Sequence, residues 1–217
     1  LGRTWHGGRL LEQVDGSMTG TPRRPLHYKV VLLGDVAVGK SSLFFRFVRG
    51  QFAEQYEATI GASFLTKVVD VDGAQVKLEL WDTAGQERYQ ALAPMYYRGA
   101  AAAVVVYDLS DFRSYERAKA WVDRLSEHPQ MVIALAGNKC DLEEERRMRV
   151  HIAQDYAATR GLLHAETSAK TSAGVFELFH AVARELVSRD MPEAGKDGAI
   201  RLSSHPDARR RLGSKCC

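Results

Sequence analysis

Six stretches of this 217-residue chain carry the pattern of buried strands, and helical spacing fills the intervals between them. YKVVLL (28–33) is a continuous apolar run of the kind covered on both faces of a sheet. KSSLFFRFVRG follows with helical spacing and stops at Gly50. SFLTKVVDV and AQVKLELWD are β-rich and separated by Asp72-Gly73, a hairpin signal that predicts antiparallel neighbours. AAAVVVYD (101–108) and MVIALAGN (131–138) are again buried-strand types, and LLHAETS supplies a last short strand. Helical patterns run from roughly Ser114 to Glu127, Val150 to Thr159 and Val175 to Val187. The alternation predicts an α/β fold: a six-stranded, mostly parallel sheet with one antiparallel strand and helices on both faces. In such sheets ligands bind at the carboxyl ends of the strands.

From Ser188 onward, Pro, Gly, Ser, Asp and Arg replace this periodicity, so a flexible tail is expected over 189–217. Residues 1–25 form an N-terminal extension outside the folded unit of 26–188. Residues 1–17, ahead of the first methionine at Met18, read equally as a leader, an expression remnant or upstream translation. Composition narrows the field further. The net charge is +3, and the segment from Ser188 holds seven Lys/Arg against four Asp/Glu. The body is therefore near neutral, which argues against a nucleic-acid binder. The longest apolar run is far short of the roughly 18 residues of a membrane span. No apolar signal core opens the chain, and a soluble intracellular protein is expected. Of three cysteines, Cys140 is alone and Cys216 and Cys217 are adjacent at the end, so no disulfide framework is expected.

The chemistry gathers at strand ends. Gly34-x4-Gly39-Lys40-Ser41, between a buried strand and a helix, fits the P-loop pattern. Its glycines let backbone N–H groups, including those of Ala37 and Val38, converge on phosphate oxygens, and the helix N-terminus adds partial positive charge there, at Ser42 as well. Lys40 supplies a point charge to the outer phosphates and the Ser41 hydroxyl a Mg²⁺ ligand. Asn138-Lys139-Cys140-Asp141 follows another buried strand. A carboxylate at Asp141 can accept from the N1–H and exocyclic amine of guanine, a donor pair that adenine lacks. Ser168-Ala169-Lys170 can close backbone over the guanine carbonyl. Asp82, ending LELWD, can hold the Mg²⁺ shell; Gly85 can offer an N–H to a γ-phosphate, Gln86 can orient water, and Thr59 is a candidate second metal ligand.

GDVAVGKSS, Thr59-Ile60-Gly61, WDTAGQE, NKCD and ETSAK together resemble the Ras-like small GTPases, in order, over about residues 28–188. The resemblance implies a single P-loop GTPase domain that binds GTP or GDP with Mg²⁺ and hydrolyses GTP slowly unless stimulated. It implies switch segments near 51–62 and 83–98, with Phe52 against the base edge and Tyr56 over the phosphates. IGASF, WDTAGQERY, YYRGA and the terminal Cys-Cys are similar to Rab signatures, and the wider strings most resemble early-endosomal Rabs. That branch implies vesicle traffic, an effector face at Phe64, Trp81 and Tyr96, and prenylation at Cys216 and Cys217. Two lipid chains with the basic residues nearby would give a stable membrane anchor. The partners implied are an exchange factor, a GTPase-activating protein, a GDP-dissociation inhibitor or prenylation escort, and effectors. A monomer cycling between cytosol and early-endosomal membrane is expected. Val36 departs from the pattern, since the loop of Ras proteins proper has glycine there and many Rabs a small residue. A branched side chain near Gln86 is expected to slow turnover without removing the backbone contacts that bind phosphate. A constitutively nucleotide-bound scaffold is the alternative.

Overall fold

A computed structural model describes residues 26–54, 59–85 and 93–190. Within them the order is β1 (Leu26–Gly34), α1 (Lys40–Arg49), β2 (Ala62–Val71), β3 (Ala74–Thr83), α2 (Ala93–Tyr97), β4 (Ala102–Asp108), α3 (Phe112–Leu125), β5 (Val132–Asn138), α4 (Val150–Arg160), β6 (Leu163–Glu166) and α5 (Val175–Asp190). The sheet order is β2-β3-β1-β4-β5-β6, and only the β2–β3 pair is antiparallel. Asp72 and Gly73 both adopt positive φ, 51° and 82°, which matches the right-handed twist of the hairpin they join. The Gly73 amide donates to Asp70 Oδ1 at 3.0 Å and fixes the turn.

The strand period of two divides the core in half. Val30 and Leu32 of β1 face one side with Val104, Val106, Ala134 and Ala136, under Leu43, Phe44 and Phe47 of α1 and Leu178, Phe179 and Val182 of α5. Val31, Leu33, Ala103, Val105 and Leu135 face the other, under Tyr115, Trp121 and Val122 of α3. Phe47 and Phe179 stack at 4.1 Å between centroids and lock α1 against α5. Phe179 is fully buried, so Phe179→Ala should cost about 3–5 kcal/mol, the transfer term plus the cavity it leaves. Chemical denaturation at fixed nucleotide concentration would measure it; a cost below 1 kcal/mol would show that the α1–α5 seam repacks.

Three helix ends differ from the periodicity by two residues or more, one of them the end of α3, at Leu125 rather than Glu127. α3 begins at Phe112 because the Asp111 side chain caps it, accepting from the Arg113 amide at 3.0 Å. α5 runs to Asp190, whose Oδ2 accepts a 2.7 Å hydrogen bond from the Tyr28 hydroxyl. The carboxyl ends of β1, β3, β5 and β6 converge on one edge, on both sides of the point where the chain turns from β3 back across β1 to β4.

Candidate functional site

A cavity of about 760 Å³ opens at that edge, within the usual range for a small-molecule site. One end is the loop from β1 to α1. Gly34, at φ 139°, passes so close to β4 that a Cβ would collide with the Val106 carbonyl oxygen. At Gly39, φ is 92° and a Cβ would strike the Asn138 amide. Gly39 opens α1 with no side-chain cap, and the first turn has no acidic residue. The first-turn N–H groups, which have no acceptor within the helix, and the positive helix end thus face the cavity. Lys40 is 6% exposed, and its Nζ donates to the Asp35 carbonyl at 2.6 Å. Burial pushes its pKa down to about 8, against the opposing charges of Asp82 and Asp35. The Asp35 carboxylate is in turn ion-paired with Arg117 of α3. Val36 is 49% exposed, and its side chain lines the cavity.

Behind Lys40 lies a cluster of oxygens. Ser41 Oγ donates to Asp82 Oδ2 at 2.6 Å, and the Ser41 and Thr59 hydroxyls are 2.8 Å apart. Thr59 also reaches Asp82 Oδ2, at 3.3 Å. Asp82 is buried, and its Oδ1 has no partner among the described residues. Burial raises its pKa, although the Ser41 hydroxyl, Lys40 and Thr59 all pull the other way. Two hydroxyls and an under-satisfied carboxylate form a hard-oxygen set that suits Mg²⁺, which binds few protein ligands and relies on phosphate and water for the rest. Gly85 closes this end, and a Cβ there would collide with the Asp35 carbonyl oxygen and Lys40 Nζ.

The opposite end is built by the loops after β5 and β6. Asn138 is buried and spends its amide on the scaffold. Its Nδ2 donates to the Val38 carbonyl at 2.9 Å, and its Oδ1 accepts from Thr167 Oγ1 and the Ala169 amide, each at 3.3 Å. One side chain therefore ties together three loops. Lys139, at φ 65°, lays its stem along the cavity and pairs its Nζ with Asp108 Oδ2 at 2.6 Å. Asp141 Oδ1 accepts from the buried Ser168 hydroxyl at 2.5 Å, which fixes the carboxylate while Oδ2 stays without a partner among the described residues. Ala169, Lys170, Phe52 and Ser42 also line the cavity.

Most residues singled out in the sequence thus meet in one place. Tyr56 and Gln86 lie outside the described residues, as do Cys216 and Cys217. Asp108 and Arg117 lie outside every motif, and Asp35 and Thr83 lie inside two of them with no role assigned by the pattern; the Thr83 hydroxyl donates to the Leu32 carbonyl at 2.7 Å. Their roles depend on pairings across the sheet that spacing alone does not reveal. Away from the cavity, Phe64 and Trp81 face each other across β2 and β3 with centroids 5.1 Å apart. Phe64 is exposed, whereas Trp81 and Tyr96 are half-buried and pack on the α3-side core. The Tyr96 hydroxyl reaches to 3.8 Å from where a Gly61 Cβ would stand. Lys29 Nζ covers Trp81 at 5.1 Å.

A glycine-framed loop leading into an open helix N-terminus, with a buried lysine and a hydroxyl–carboxylate cluster, defines a P-loop nucleotide-binding protein. Comparison with known proteins resolves the class. The Ras family model matches residues 29–188. The Ras-related protein RABF2b of Arabidopsis thaliana is 49% identical over 202 residues, spanning 92% of this chain and all of the relative. Rab5 of Nicotiana tabacum is 50% identical, covering 88% of this chain and 96% of its own length. Rab5A of Oryza sativa subsp. japonica is 49% identical over 87% and 94% respectively. The chain belongs to the Ras family of small GTPases, and within it to the Rab subfamily on its early-endosomal branch. It is a small GTPase switch of membrane trafficking that binds guanine nucleotide and hydrolyses GTP.

Proposed function

We propose that this cavity holds GTP with its phosphates at Lys40 and its base at Asp141, and that hydrolysis there switches effector recruitment at early-endosomal membranes. The supporting observation is Asn138, which couples the Val38 carbonyl of the phosphate loop to the Ala169 amide of the base loop. Gly34, Ala37, Val38, Gly39 and Ser42 shape or supply the backbone cradle, and Lys40 meets the outer phosphates. Ser41, Thr59 and Asp82 would hold Mg²⁺, which when bound neutralises charge developing on the phosphate oxygens. Gly85 offers its N–H to the γ-phosphate, and Gln86 orients the attacking water. At the base end, Asp141 reads the N1–H and amine of guanine, with Ser168 fixing the carboxylate. Asn138 and Lys139 brace that wall, and Ala169 and Lys170 close over the carbonyl. Phe52 flanks the base and Tyr56 covers the phosphates.

The GTP-bound form presents Phe64, Trp81 and Tyr96 to effectors. Prenyl groups on Cys216 and Cys217 anchor the chain, an exchange factor reloads it, and an escort or GDP-dissociation inhibitor shields the lipids. Intrinsic turnover is low and a GTPase-activating protein speeds it. The exposed position of Val36 at the cavity favours an especially slow cycle, because a branched side chain crowds the approach of Gln86 and of an incoming arginine. Such arginines contribute about 10³–10⁵-fold in rate. Val36→Ser should therefore raise the stimulated single-turnover rate by about tenfold or more, with GDP affinity unchanged. Equal rates for both proteins, alone and with an activating protein, would remove Val36 from the account. If Val36 instead blocks stimulation entirely, the chain acts as a persistently loaded scaffold.

A further inference from the structure

Arg46, in the last turn of α1, is half-buried and donates from each of its three guanidinium nitrogens to a backbone carbonyl. Nε donates to the Ala169 carbonyl at 2.7 Å and Nη2 to the Lys170 carbonyl at 3.0 Å. Nη1 donates to the Gly50 carbonyl at 2.8 Å, just beyond the end of α1. The guanidinium carbon also lies 5.8 Å from the centre of the Phe52 ring, which forms a cavity wall. One planar cation therefore joins the base loop, the helix end and the start of the segment leading to Thr59. α1 itself opens at Lys40, six residues earlier and about 9 Å away along the axis.

We propose that Arg46 is a positioning residue for the base end of the nucleotide site, and that it sets how fast nucleotide leaves. The inference rests on the guanine reading above and adds a specific holder for the loop that closes over the base carbonyl. Two adjacent carbonyls held by one fork orient the peptide between them, and with it the Lys170 N–H that would face the guanine oxygen. Loss of the fork frees that peptide and loosens Phe52 in the same step. Lysine cannot replace it, since an ammonium on a flexible stem lacks the planar geometry that spans two carbonyls. The contact to Gly50 also couples the link to any displacement of residues 51–54. A partner that pulled on this segment would open the base loop through Arg46.

The test uses the full-length chain loaded with a fluorescent GDP and chased with excess GDP, for wild type, Arg46→Gln and Arg46→Lys. Both variants should release nucleotide about tenfold faster, the worth of one charge-assisted hydrogen bond to the loop. Base analogues separate positioning from general loosening. 6-Thio-GDP changes only the atom facing Ala169 and Lys170, and preference for GDP over it should shrink by about tenfold. IDP lacks only the amine facing Asp141, and preference for GDP over IDP should hold within twofold. Release within twofold of wild type, or equal losses in both preferences, would overturn the proposal. If Arg46→Gln fails to fold, Arg46→Lys decides. A wild type that binds no guanine nucleotide would overturn the functional reading itself, and this inference with it.

Discussion

Asp141→Asn should lower affinity for GDP by about 10³-fold and raise affinity for XDP by a comparable factor. Guanine presents two adjacent donors, the N1–H and the amine, and only a group with two acceptors meets both. Asparagine keeps the size and can still accept from Ser168 Oγ, now 2.5 Å from Asp141 Oδ1, so the loop should hold its place. Its Nδ2 then points a donor at the guanine amine, and that mismatch in a partly buried site is the source of the loss. Xanthine carries a carbonyl in place of the amine and restores the match. Titration of nucleotide-free variant with GDP and XDP measures both numbers. A variant that still prefers GDP would place the base elsewhere in the cavity.

Gly85→Ala should reduce single-turnover GTP hydrolysis by about 10²–10³-fold, the usual worth of one lost backbone donor at developing charge. GDP affinity should stay within about fivefold, because a γ-phosphate contact is absent from the diphosphate state. The cause is steric: a Cβ would collide with a backbone carbonyl at Asp35 and with Lys40 Nζ, and backbone cannot yield as a side-chain tip can. The segment after β3 must then retreat from the phosphate loop. Quench-flow with pre-bound GTP gives the rate, and fluorescent GDP titration gives the affinity. A variant that hydrolyses at the wild-type rate would show that Gly85 is not where the γ-phosphate lies.

The fold was legible wherever burial and period coincide. The apolar runs from Tyr28, Ala101 and Met131 lie in central strands with both faces covered, and Asp72-Gly73 adopts the turn its residue types favour. The helix ends were harder to read: Asp111 is a local cap that the apolar period does not show, and Asp190 meets Tyr28 through packing from 162 positions away. Site residues with a local motif, such as Lys40 and Asp141, were readable because their neighbours in sequence are also their neighbours in space. Arg46, Arg117 and Asp108 were not, and Asp35, although inside the phosphate-loop motif, carries no sign of its partner Arg117. Arg46 meets residues 123 and 124 positions away, and Arg117 meets Asp35 from a helix on the other face. Asn138 is intermediate: its motif marks it as part of a base site, while its buried amide does its work by joining loops.

Joint service of one guanine nucleotide by the phosphate loop and the base loops is the expectation on which the other site roles depend. It is tested most directly by calorimetric titration of nucleotide-free full-length protein, in Mg²⁺, with GTP, GDP, ATP and ADP. One site per chain, tight binding of GTP and GDP, and discrimination of about 10⁴-fold or more against the adenine nucleotides are expected. Comparable affinities for GDP and ADP would contradict it, since Asp141 would then not be reading the base.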